Sequence, residues 1–137
     1  MDTAFISSLG DVTTLFTALR SVQARARIHL IRLNEQTAVV SEMTGRTHDA
    51  EVRQELGEIA RLLADARSLL FGRDTLALGR AVLAAGKADT LAAQHRLAEV
   101  AGDIAVLLDQ CLCASARIEG LLLQAAQRLS ELEAAEV

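Results

Sequence analysis

Residues 25–33 read RARIHLIRL: Arg25, Ala26, Arg27, Ile28, His29, Leu30, Ile31, Arg32 and Leu33. For six positions charged or polar residues alternate with apolar ones, the pattern of a half-buried strand. Three arginines and a histidine in nine residues also suit a nucleic-acid-binding segment. The flanking sequence decides between these readings. From Asp11 to Met43 there is neither glycine nor proline, and a helical period sorts the apolar residues better than a two-residue period does. RARIHLIRL therefore reads as part of one long helix, and its alternation as a local coincidence.

The rest of the chain agrees. Its 137 residues contain no proline, tryptophan or tyrosine and only three phenylalanines, Phe5, Phe16 and Phe71. Hydrophobic residues make up 51% and charged residues 23%, which argues against disorder. The bulk is Ala, Leu, Arg, Glu, Gln and Asp, mostly good helix formers. The expected fold class is all-α, an elongated, mostly antiparallel, coiled-coil-like helical bundle of three to four helices with long first and last helices. A single helical domain spans 1–137.

Glycines and capping residues set the boundaries. The helices fall at about 11–43, 48–71, 75–85 and 90–134, with Thr44-Gly45 closing the first and Thr47 capping the second. Gly72 stops the second helix, and Asp74 caps the third. Apolar residues repeat at three-four spacing in each long segment. The first seam is Phe5, Leu9, Val12, Phe16, Leu19, Gln23, Ala26, Leu30, Leu33, Thr37 and Val40. The second is Val52, Leu56, Ile59, Leu63, Ala66 and Leu70. The last is Leu97, Ala101, Ile104, Leu108, Cys111, Ser115, Ile118, Leu122, Ala125, Leu129 and Leu132.

At ~1.5 Å per residue the last helix would reach roughly 65–70 Å and the second only ~36 Å. The far end of the last helix, with Leu121, Leu122, Leu123, Leu129 and Leu132, then lacks cover, and a homodimer is the simplest expectation. Between the long helices the chain reads GRDTLAL, GRAVLAA, GKADTLA, which places Gly72, Gly79 and Gly86 seven apart, each followed by Arg or Lys. Interior glycine costs a helix roughly 0.5–1 kcal/mol relative to alanine, so these three mark the expected hinge.

Catalytic chemistry is hard to find. Gly86-Lys87 lacks the spacing of a phosphate loop, and Ala88 stands where Ser or Thr would be needed. His29, His48 and His95 are scattered singly, Cys111 and Cys113 are not in a ligand-type pair, and no Glu-x-x-His occurs, so no metal and no cofactor are expected. Histidine phosphotransfer domains carry HxxKG, whereas His95 is followed by Ala98 and Glu99 at the lysine and glycine positions. No GxSxG occurs. Glu51, Glu55 and Glu58 lie near Arg53, Arg61 and Arg67 in a pattern of solvated intrahelical pairs. The chain does not read as an enzyme.

Thirteen of the fourteen basic residues are arginine, Lys87 being the exception, which reads as codon bias. The net charge of −4 opposes general polyanion binding. Reduced cysteines and a cytoplasmic setting are the default. No apolar run is long enough for a membrane span, and the start MDTAFISSLGD lacks a basic region followed by an apolar stretch, so neither a membrane protein nor a secreted precursor is expected.

From Val12 to Asn34 there is no acidic residue. At 100° per residue, Arg25, His29 and Arg32 share one flank of the helix, Arg20 and Arg27 the other, and Ile28 and Ile31 form a second apolar face. Such a helix calls for neighbours on both sides, with Glu99, Asp103 and Asp109 as available counter-charges. These features imply a non-catalytic interaction module (an adaptor, assembly factor or secretion-type chaperone) that receives partner helices in apolar grooves. In general build, small, acidic, proline-free and long-helical, the chain resembles the small helical export chaperones of flagellar and type III systems; the likeness is of composition and covers no motif. A sensory bundle binding a small anion near Arg25, His29 and Arg32 is the alternative. Nucleic-acid binding comes third, given the overall negative charge and the lack of aromatic platforms and flanking lysines.

Overall fold

The computed structural model describes the backbone of residues 3–87 and 91–136, and the side chains of 14, 16–87 and 91–135. Five helical segments follow one another: α1 (Thr3–Arg46), α2 (Ala50–Leu70), α3 (Arg73–Gly86), α4 (Leu91–Glu99) and α5 (Ala101–Glu136). Among the described residues there is no strand. The all-α bundle with long first and last helices is what the patterning predicts. Phe5, Leu9 and Val12 of the first seam, and Asp89 and Thr90 before the last helix, lie outside the described side chains.

Several boundaries differ from the sequence reading. α1 is already helical at Thr3, ahead of Gly10 and Asp11. At its other end Gly45 is not a cap: no glycine has a positive φ, and the helix runs to Arg46, with Thr47 N–H donating to the Met43 carbonyl at 3.1 Å. The N-cap of α2 is Asp49 rather than Thr47. Its side chain accepts from the amides of Glu51, at 2.8 Å, and Val52, at 3.3 Å. α3 is capped by Gly72, with Asp74 in the first turn. The expected last helix divides at Val100, whose N–H turns back to the Leu97 carbonyl before the regular ladder resumes with Ile104 N–H to the Val100 carbonyl. Gly102, two residues on, is a weak helix former at that point.

The chain forms two compact units. The first comprises Met1–Arg25 and Gly72–Cys113, the second Ala26–Phe71 and Ala114–Val137. In the second, α2 buries Leu56, Ile59, Leu63, Ala66 and Leu70 of its predicted stripe against Leu33, Val40 and Met43 of α1 and Ile118, Leu122, Ala125 and Leu129 of α5, with Val52, the first of the stripe, partly buried beside them. Ile59, Ala66 and Ala125 have no exposed surface. The short 47–49 connection makes α2 antiparallel to α1. Two hydrogen bonds make α5 parallel to α1: His29 to Ser115, and Gln36 to the Leu122 carbonyl, both 86 residues apart and one heptad from each other. A constant separation along two helices means that they run the same way.

The first unit has its own core of Leu19, Val22, Leu78, Leu97, Ile104 and Cys111, with Ala81, Val82 and Ala85 of α3 packed against it. Cys111 Sγ donates to the Asp74 carbonyl at 3.5 Å.

Candidate interaction surface

The core face of α1 is not quite the expected one. Leu19, Ala26, Leu33 and Val40 lie on the seam, but the row alternating with them is Val22, His29, Gln36 and Met43 rather than Gln23, Leu30 and Thr37, of which Leu30 is half-buried and packs against the core. Val22, His29 and Met43 are buried and Gln36 half-buried, whereas Thr37 is exposed. The two sets sit about 100° apart on a helix. Leu30 draws the reading to the wrong set because it is apolar where its neighbour His29 is polar. The heptad spacing of Val22 and Met43 on either side of His29 is the signal that identifies the buried row.

His29 is therefore a core residue, 5% exposed, and not a flank partner of Arg25 and Arg32. Its Nε2 lies 2.9 Å from Ser115 Oγ, also buried. The three-residue basic cluster expected for an anionic ligand is thus not assembled, since Arg25 and Arg32 are exposed while the imidazole faces the interior. One heptad beyond His29, Gln36 donates through Nε2 to the Leu122 carbonyl at 3.2 Å, and its Oε1 is buried without a hydrogen-bond partner among the described residues.

The leucines expected to need a second copy are also redistributed. Leu122 and Leu129 are buried in the core of their own unit, and Leu121 and Leu132 pack against it. α2 and α1 supply the cover that the length mismatch argued against. Leu123 is the one of the set that stays outside, at 68% exposure.

On the outward side of α1, Ile28 and Ile31 are 49% and 58% exposed. Arg20, Arg25, Arg27 and Arg32 are exposed. Arg20 lies over the Phe16 ring, 5.8 Å from its centroid. None of these four arginines makes an ion pair with Glu99, Asp103 or Asp109; the ion pairs among the described residues are Arg46–Glu42 and those of Arg128 with Glu55 and Glu58. The Arg128 guanidinium, bridging α5 to α2, holds the Glu55 carboxyl below its ordinary range by hydrogen bonding.

In the second unit a groove of about 360 Å³ runs between the parallel helices α1 and α5, lined by Arg32, Gln36, Glu119, Leu122, Leu123 and Ala126. One wall ends in a cation and the other in an anion, over an apolar floor. A smaller groove of about 210 Å³ lies between α1 and α2, lined by Thr37, Val40, Ala60, Leu63, Ala64 and Arg67.

Of the hinge glycines, Gly72 occupies the extended N-cap between α2 and α3, while Gly79 and Gly86 are helical within α3. Cys111 is buried and Cys113 exposed; burial, followed by the nearby Asp74 carboxylate, pushes the Cys111 thiol up, away from the thiolate that reactivity needs. Among the described residues no cluster of three or more His, Cys, Asp or Glu side chains could hold a metal, and no helix is long and apolar enough to cross a membrane. No family model matches the chain, and no curated protein and no solved structure is similar to it.

Proposed function

We propose that the chain is a non-catalytic protein-interaction module, an adaptor, assembly factor or secretion-type chaperone, that receives a partner's amphipathic helix. The observation that carries this reading is the α1/α5 groove of the second unit, with its apolar floor, oppositely charged walls and the exposed Leu123. Ile28 and Ile31 add exposed aliphatic surface on α1. A helix binds such a surface through apolar residues at i, i+3 or i+4, and i+7, and polar groups at the rim orient it.

A displayed library of helical peptides, selected on the full chain and then on the folded Leu123→Glu and Ile31→Glu variants, tests the reading. Enriched peptides should share that apolar spacing, and binding should fall at least about tenfold on Leu123→Glu, since a buried unpaired charge costs more than ~1.4 kcal/mol. Enrichment without a shared pattern, or binding indifferent to both substitutions, would overturn it. Mass by light scattering over a concentration range shows whether a second copy is the occupant. A dimer that both substitutions dissociate assigns the groove to self-association and removes a foreign partner helix from it.

A further inference from the structure

α3 of the first unit has two apolar sides, and only one of them meets the core. Leu78 is buried, with Ala81, Val82 and Ala85 packed against the same cluster. Residues set 100° apart put Leu76 and Leu83 on the side opposite Leu78, where they are 60% and 63% exposed. Beside them runs a row of cations at seven-residue spacing: Arg73, Arg80 and Lys87, all exposed. Among the described residues none of the three makes an ion pair. A Cβ added at Gly79 would meet nothing within 4 Å, so the space beside that residue is open, while at Gly86 the Phe16 ring lies 4.0 Å away. Of the acidic residues in this repeat, Asp74 is half-buried on the core side, next to Cys111, and Asp89 lies outside the described residues. Among the described residues, the heptad repeat GR, GR, GK thus becomes an outer face of two leucines flanked by positive charge.

We propose that this outer face of α3 docks an acidic amphipathic helix of a partner protein. Its apolar residues would pack on Leu76 and Leu83, and its carboxylates, at heptad spacing, would meet Arg73, Arg80 and Lys87. Charge selects this occupant over a second copy. Two α3 helices related by a two-fold axis near Gly79 and Arg80 would set Arg80 against Arg80 and Arg73 against Lys87, and like charges so placed repel. The exposed leucines select a protein helix over a phosphate backbone, which would leave them uncovered in water. This surface is separate from the α1/α5 groove, and the inference does not depend on that groove being occupied.

The test uses the full chain and fluorescence anisotropy with a labelled helical peptide of about three heptads, carrying Leu at the seam and Glu at the flanking positions. A matched peptide carries Lys in place of Glu. The Glu peptide should bind the unaltered chain and the Lys peptide should not. The Arg73→Glu/Arg80→Glu/Lys87→Glu chain should lose the Glu peptide by about tenfold or more and gain the Lys peptide. That swap is a readout that mere loss of folding cannot produce. Leu76→Ser/Leu83→Ser, with its helicity checked by circular dichroism, should weaken both combinations. Should the reversed chain fail to fold, Arg73→Gln/Arg80→Gln/Lys87→Gln takes its place, with the same loss of the Glu peptide expected. Equal binding of the two peptides, or indifference to the α3 substitutions, overturns the inference. Displacement of the peptide by duplex DNA or by phosphatidylserine vesicles also overturns it and reassigns the face to that anion. Loss of the Glu peptide on Leu123→Glu instead of on the α3 variants overturns it as well, while leaving the α1/α5 groove as the site of interaction.

Discussion

His29 and Ser115 form a polar contact between helices whose other meeting residues are almost all aliphatic. A hydrogen bond of this kind contributes little beyond what water would offer either group, but breaking it on one side leaves a buried polar group unsatisfied. Ser115→Ala should therefore cost about 1–2 kcal/mol. His29→Leu with Ser115→Ala should recover most of that loss, because no polar atom of the pair remains to be satisfied. Urea unfolding of the two single variants and the double variant checks this; a double variant as unstable as the sum of the singles would show that the contact is not the coupling. Ser115 is visible in the sequence as an interruption of the last seam. His29 is not, because Leu30 beside it offers an apolar alternative, and only the position of α5 against α1 decides which of two adjacent residues turns inward.

At the level of elements, helix existence is far more legible than helix ends. The stripe of α2 is read correctly at every position from Leu56 to Leu70, because residues that face a core must recur at the helical period. The ends are decided by a few hydrogen bonds that compete closely. Thr47 and Asp49 are both good capping residues, and the backbone at Asp49, with φ −73° and ψ 123°, is the one that brings its carboxylate onto the Glu51 and Val52 amides. Asp49→Ala should cost about 1 kcal/mol, while Thr47→Ala, whose hydroxyl accepts only from the Asp49 amide at 3.3 Å, should cost about half of that or less. Thermal unfolding of the two variants distinguishes them, and an equal loss would mean that the cap is shared. The division at Val100 carries no proline to announce it; Gly102 nearby weakens the helix, and the backbone hydrogen bonding fixes the position.

Across the whole molecule burial is unevenly divided among the helices. α2 buries five side chains, Leu56, Ile59, Leu63, Ala66 and Leu70. α3 and α4 contribute one buried side chain each, Leu78 and Leu97. Hydrogen exchange followed by mass spectrometry should accordingly show the slowest amides in α2 and in residues 118–129 of α5, and the fastest helical amides in α3 and α4. Comparable protection of α3 and α2 would contradict this ordering. The amino-acid sequence by itself determined the all-α class, the long helices and the stripes of α2 and α5, since helix propensity and the period of apolar residues are properties of neighbouring positions along the chain. The tertiary structure alone decided that α1 and α5 run parallel, that His29 turns into the core, that Leu122 and Leu129 are covered within the chain, and that Leu76, Leu83 and Leu123 are not. Each of those outcomes depends on which helix lies against which face, and burial is set by neighbours distant in sequence.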